Sequence, residues 1–321
     1  LKKEAVKSLV EDLKANKGEA FVTAGAKFPE STHIAVNKLN DLLATKVYSK
    51  ENFASPVVPL TAKADIDALV GRMNAGGVGA VVHFDTNPVY HFSPDYKYAE
   101  ALKKVGLVVT FAEAHNETSE LSNYVLPVNH NFESWGDHKP RTGVMSTQQP
   151  VIAPIYKTRQ KEAAMLNWLA DKPEAYAENI YMNYIKANWE KAVYSVVSAK
   201  VDFKTFWTGA IHDGVIAFNE KFDDTFTFRP EGFNAPALKA STAAVLQLNS
   251  PSYLTDGRFA NNGWLQELPN PITKSVWDNY ASVSPTYAEQ LGVKANDMVE
   301  ITAGGKTVAA PVFVQPGMAD G

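Results

Sequence analysis

Polar residues stand just past the ends of two short apolar runs. Asn87 follows the run 79–84, and Glu117-Thr118 follows the run 107–111. If the two runs are parallel strands of one open sheet, these side chains lie in the crevice beyond the carboxyl ends, where α/β sheets bind ligands. An amide, a carboxylate and a hydroxyl there supply donors and acceptors together. The same residues have a plainer reading: Asn87-Pro88 is a turn, and Glu117 begins a helix.

Other chemistry-bearing residues are scattered. The seven histidines, His33, His83, His91, His115, His130, His138 and His212, with Asp85 and Asp137 as added carboxylates, show no i, i+4 pair and no short loop clip of the kind that holds a metal. No metal site is expected. Glu220 with Asp223 and Asp224 has the residue types for acid-base work, but it sits in a polar stretch and reads as a solvated face. The aromatic residues between Tyr156 and Asn234 fit helix cores better than a haem or quinol pocket, and no Cys-x-x-Cys-His exists to attach haem covalently.

Composition narrows the classes. The chain has 321 residues, enough for two domains, with 45% hydrophobic and 21% charged residues. No apolar run approaches the roughly 20 residues of a membrane span. A net charge of -4 argues against nucleic acid as a partner. The arginines are confined to Arg72, Arg141, Arg159, Arg229 and Arg258, which leaves few planar clamps for phosphate. There is no cysteine, hence no disulfide, thiolate nucleophile, cysteine-ligated cluster or cysteine ligand to a metal in this chain.

The elements that must position these residues follow from spacing. Val6, Leu9, Val10 and Leu13 predict a helix ended by Gly18, and the run 20–24 predicts a strand ended by Gly25. Ser31 is a cap for a helix with Ile34, Ala35, Leu39, Leu42 and Leu43 inside. Ile66, Leu69, Val70 and Met73 predict another, broken at Gly76-Gly77 before the strand 79–84. Ser93-Pro94 opens a third, carrying Tyr98, Ala101, Leu102 and Val105, and Gly106 ends it before the strand 107–111. Alternating helices and apolar strands imply a doubly wound, mainly parallel α/β sheet over residues 1–155. A helical, aromatic-rich extension follows over 156–235. A β domain, barrel-like, closes the chain over 236–321, with a tight hairpin at Gly304-Gly305. Gly76-Gly77-Val78-Gly79 precedes a strand rather than following one, so a phosphate-cradling loop is missing and a free-standing dinucleotide dehydrogenase is disfavoured.

Three segments together resemble the molybdopterin oxidoreductase superfamily, which includes dimethyl sulfoxide reductase and polysulfide reductase. They are Phe84-Asp85-Thr86-Asn87-Pro88-Val89-Tyr90; Glu117-Thr118-Ser119-Glu120-Leu121-Ser122-Asn123-Tyr124 through Pro127, with Glu133-Ser134-Trp135-Gly136-Asp137; and Ser284-Pro285-Thr286-Tyr287-Ala288 through Val314-Gln315-Pro316-Gly317. Within the superfamily, Asp256-Gly257-Arg258-Phe259-Ala260-Asn261-Asn262-Gly263-Trp264 and Gln266-Glu267-Leu268-Pro269 most resemble the large molybdopterin-oxidoreductase-like iron-sulfur subunit of bacterial alternative complex III.

That resemblance spans essentially the whole chain and implies an internal fragment, with family sequence before Leu1 and a truncated double-psi barrel continuing past Gly321. It marks Asn87, Glu117, Thr118 and Asp137 as vestigial cofactor-binding positions. It implies a quinol:cytochrome c oxidoreductase complex at the periplasmic face of the inner membrane, with cytochrome c, integral membrane subunits and a downstream ferredoxin-like domain bearing iron-sulfur clusters as partners. This chain would be the cofactor-free scaffold of the complex rather than its catalyst. The alternative is a fragment of an active oxidoreductase of the polysulfide reductase type, carrying bis-molybdopterin guanine dinucleotide.

Overall fold

Hydrophobic side chains at helical spacing among lysines and acids produce helix α1 (Lys3–Ala15), but none of its residues is buried. The computed structural model describes residues 2–25, 28–46, 61–172, 175–197, 200–220 and 244–320, divided between two units, Leu1–Ala235 and Pro236–Gly321. Asp223, Asp224, Arg229 and the rest of the aromatic stretch 221–234 lie outside the described residues.

The run 20–24 is not a strand. Its backbone is held instead by the side chain of Asn40 on α2 (Glu30–Leu42): Val22 N-H donates to Asn40 Oδ1 at 2.9 Å, and Asn40 Nδ2 donates to Val22 O at 2.8 Å. One amide thus substitutes for a neighbouring strand. Ser31 lies inside α2 rather than capping it.

Helix α3 (Lys63–Asn74) buries Val70 and Met73, and its chain reverses at Gly76, where φ is +73°. Three parallel strands follow in sequence order: β1 (Ala80–Phe84), β2 (Leu107–Ala112) and β3 (Tyr124–Pro127). The registers pair Val81 with Val108, His83 with Thr110 and Thr110 with Val125. Between β1 and β2 run α4 (Pro88–His91) and α5 (Tyr98–Leu102). Because strand side chains alternate faces, Val81 and Val108 join Val70, Met73, Tyr98, Ala101 and Leu102 in one core cluster. The other face presents Phe84 stacked on Phe111, which meets Trp168 of α6 (Lys161–Leu169) at 5.3 Å. The architecture is mixed α/β with a parallel sheet, but among the described residues it has three strands and no reversal of strand order. The doubly wound expectation is corrected to that extent.

An antiparallel sheet follows, of β4 (Gly136–Arg141), β5 (Val144–Gln148) and the distant β6 (Val215–Ala217). The chain between β5 and β6 carries α6, α7 (Ile180–Trp189), a π-type turn at Glu190–Tyr194, the short α8 (Ser195–Val197) and α9 (Phe203–Asp213). Ile185, Trp189, Val193, Phe206, Trp207 and Ala210 form its core, with Trp189 and Trp207 edge to face at 5.6 Å. Core is therefore what these aromatics make.

In the second unit, α10 (Gly263–Glu267) is capped by Asn262, and α11 (Pro285–Leu291) by Ser284. Strands β7 (Ala281–Val283), β8 (Met298–Ala303) and β9 (Lys306–Val314) make one sheet in the order β7-β9-β8. Gly304 and Gly305 both adopt positive φ, +58° and +76°, and close the β8-β9 hairpin with Thr302 opposite Thr307. The hairpin is as expected, but no closed barrel forms among the described residues.

Candidate functional site

The parallel register sets the site. β1 ends at Phe84, and Asp85 takes a positive φ of +50° while its N-H donates to Phe111 O at 3.0 Å, turning the chain across the end of β2. Asn87 follows as the residue ahead of α4, with Pro88 in the first turn. After β2 the chain loops back, and Asn116 accepts from the N-H groups of Thr118 and Ser119, starting the single turn Ser119–Leu121.

These two loop starts clasp each other. Asn87 Oδ1 accepts from Thr118 N-H at 3.2 Å and from Thr118 Oγ1 at 2.7 Å, while Asn87 Nδ2 donates to Glu117 Oε2 at 2.6 Å. Thr118 Oγ1 in turn accepts from Val89 N-H at 3.1 Å. The Asn87 hydrogen bond, then the backbone, hold the Glu117 carboxyl below its ordinary value of 4.5. Three of the four expected site residues thus meet at the carboxyl end of the sheet, with Thr118 fully buried and Glu117 exposed.

Asp137 lies elsewhere. It is the second residue of β4, accepts from Trp189 Nε1 at 2.9 Å, and lines a cavity of about 150 Å³ with Trp135, Gln160, Lys161, Glu162 and Tyr181. Burial first, then the Asp137 and Glu162 carboxylates, push the Tyr181 hydroxyl up to about 12. Lys161 connects the two places, since its Nζ pairs with Asp85 Oδ2 at 3.1 Å.

This donor set does not fit the pyrophosphate of a pterin dinucleotide. The crevice offers two carboxylates, Asp85 and Glu117, its lysine is paired with one of them, and both ends of the Asn87 amide are engaged. α4 has four residues, too short for a phosphate-binding helix terminus. The glycines at 76, 77 and 79 lie before β1, at the opposite end of the strand.

The histidines do not assemble either. His130 Nδ1 accepts from Phe132 N-H at 3.1 Å, capping its own turn, and His212 meets Asp213 on the surface. Among the described residues no group of three or more His, Cys, Asp or Glu is placed to hold a metal, and no helix is long and apolar enough to cross a membrane. Glu220 is structural: it pairs with Lys139 and accepts from Gly143 N-H at 2.7 Å.

Sequence reasoning missed the polar thread behind the clasp. His83 Nδ1 lies 3.0 Å from Thr110 Oγ1 and His83 Nε2 lies 2.8 Å from Tyr98 Oη, all three buried. Thr110 Oγ1 lies 2.7 Å from Ser122 Oγ, which donates to Thr118 O at 2.9 Å. The available signal was a histidine and a threonine inside runs otherwise apolar.

The polar loop pair at the carboxyl end of the parallel sheet lies in the place where open α/β sheets bind ligands. No family model matches the sequence. A curated relative is the menaquinone reductase, molybdopterin-binding-like subunit, of Nitratidesulfovibrio vulgaris (strain Hildenborough), 24% identical over 250 residues, which cover 73% of this chain and 33% of the relative. This chain therefore spans about one third of that relative's length. Acetylene hydratase from Pelobacter acetylenicus aligns at a TM-score of 0.47 and 14% identity, covering 80% of this chain and 38% of the other, a likeness too loose to carry weight. The motif segments and the curated relative together support the molybdopterin oxidoreductase superfamily; they do not select the alternative complex III subunit.

Proposed function

We propose that this chain is a cofactor-free, molybdopterin-oxidoreductase-like scaffold region within a membrane-associated respiratory oxidoreductase, of the quinol:cytochrome c type seen in alternative complex III. In this reading it docks cytochrome and membrane subunits at the periplasmic face and positions an iron-sulfur domain elsewhere in the assembly, without itself catalysing a redox step. The observation that carries the reading is the clasp: at the carboxyl end of the sheet, Asn87 accepts from Thr118 and donates to Glu117, so these side chains are engaged with one another and a carboxylate faces the place a phosphate would take. The absence of cysteine from the chain agrees with it.

The test is the complete, natively expressed protein. Elemental analysis with a pterin fluorescence assay should return molybdenum and pterin far below one equivalent. Stoichiometric amounts of both would overturn the reading in favour of an active bis-pterin enzyme, which the Asn87-Pro88 loop at the end of β1 favours.

A further inference from the structure

The hydroxyl groups behind the clasp permit only one direction of hydrogen bonding. Thr118 O can only accept, so the single Ser122 hydroxyl proton is committed to it. Thr110 Oγ1, at 2.7 Å, must therefore donate to Ser122 Oγ. With its own proton committed, Thr110 Oγ1 must accept from His83, which places a proton on Nδ1. The neutral ring then has a bare Nε2, and Tyr98 Oη donates to it. The thread runs Tyr98, His83, Thr110, Ser122, Thr118, and the Thr118 N-H and Oγ1 continue it to Asn87 Oδ1, which leaves Asn87 Nδ2 pointing at Glu117.

We infer that His83 is a pH-sensitive positioning residue: as the neutral Nδ1-H tautomer it fixes the thread from α5 to the Asn87-Glu117 clasp, and a second proton on the ring reverses its bond with Tyr98 and shifts the ring from which the rest of the thread hangs. Protonation puts an Nε2-H against the Tyr98 hydroxyl, whose proton must then turn into a core beside Phe92 and Leu102. Unlike a surface histidine, His83 has among the described residues only hydroxyl partners, Thr110 and Tyr98, neither of which offsets a positive charge. From α5 it meets Tyr98 and from β2 Thr110, and burial is the influence on its titration, which it lowers from 6.5. Thr110 and Thr118 have no exposed surface, so a change in the ring is passed along close-packed groups rather than absorbed by solvent. The inference stands whether or not the crevice takes a cofactor.

The experiment follows the Asn87 side-chain amide by nuclear magnetic resonance in protein carrying 15N-labelled asparagine and histidine, titrated from pH 8 to about pH 5, above the range of Glu117. The His83 ring should read as the Nδ1-H tautomer, and the Asn87 amide should shift in one step below pH 6.5. His83→Gln keeps a donor towards Thr110 and an acceptor towards Tyr98 but cannot titrate, so the step should vanish. His91→Gln should retain it, which separates the effect from the His91 charge acting on Glu117. Thr110→Ser should preserve the step, and Thr110→Val should displace the Asn87 amide at every pH and speed Thr118 amide exchange about tenfold. An Nε2-H tautomer, or the same Asn87 titration in wild type and His83→Gln, would overturn the inference; these readouts stand even if Thr110→Val does not fold.

Discussion

Asn87 shows how much a single amide can fix, since each end has a different partner. Asn87→Ala removes the largest influence depressing Glu117, and the Glu117 titration should move up towards 4.5, read by carboxyl-carbon resonance. Depressed Glu117 stabilises the fold above 4.5, and the contribution is lost as the pH falls through the folded-state value. His83 behaves analogously for a base: a lowered value means stability complete above 6.5 and lost as the pH falls from there through the lowered value. Chemical denaturation at pH 7.5 and pH 5.5 should show wild type losing more stability than His83→Gln, and equal losses would contradict the burial argument. Position alone made Asn87, Glu117 and Thr118 legible in the sequence, because strand ends converge whatever else the fold does. The place of Asp137 was not legible, since it depends on Trp189 reaching it from a helix some 50 residues away.

Among the elements, the β4-β5 turn has the least room. Gly143 has φ +69°, and a Cβ there would stand 2.5 Å from Phe218 O, a backbone atom that cannot yield. Gly143→Ala should destabilise the protein by about 1–3 kcal/mol, from the left-handed conformation before the clash is added, measured by urea unfolding. Trp189→Phe keeps the ring in its core and deletes one donor, leaving Asp137 without it; a loss of about 1–3 kcal/mol is expected in the same assay. The helices α1 and α3, β1, β2 and the Gly304-Gly305 hairpin were legible because period and turn chemistry are local. The run 20–24 was misread for the complementary reason. Its apolar pattern suits a strand, but a strand also needs an edge to pair with, and Asn40 supplied the hydrogen bonds from a helix instead.

For the whole molecule, a net charge of -4 and few arginines predict weak affinity for phosphate-bearing ligands. Calorimetry with guanosine diphosphate should be silent at sub-millimolar concentration, because a Kd near 1 mM already requires about -4 kcal/mol; saturable micromolar binding abolished by Asn87→Ala would refute the cofactor-free reading. The overall α/β character came from helices alternating with apolar runs along the chain, whereas the β7-β9-β8 sheet could not be told from a barrel, since closure depends on strands far apart in sequence. The antiparallel sheet carries a kinetic consequence. β5 waits for β6, pairing Val144 with Ala217 only after all of α6 to α9 has been threaded between them. Closing so long a loop is entropically slow, so this pairing belongs to the late side of the folding barrier, while β1, β2 and β3 assemble from near neighbours. Trimming Ile216 to valine should then leave the refolding rate nearly unchanged and quicken unfolding, so that the lifetime of the native state, more than its rate of birth, is set by three residues of β6.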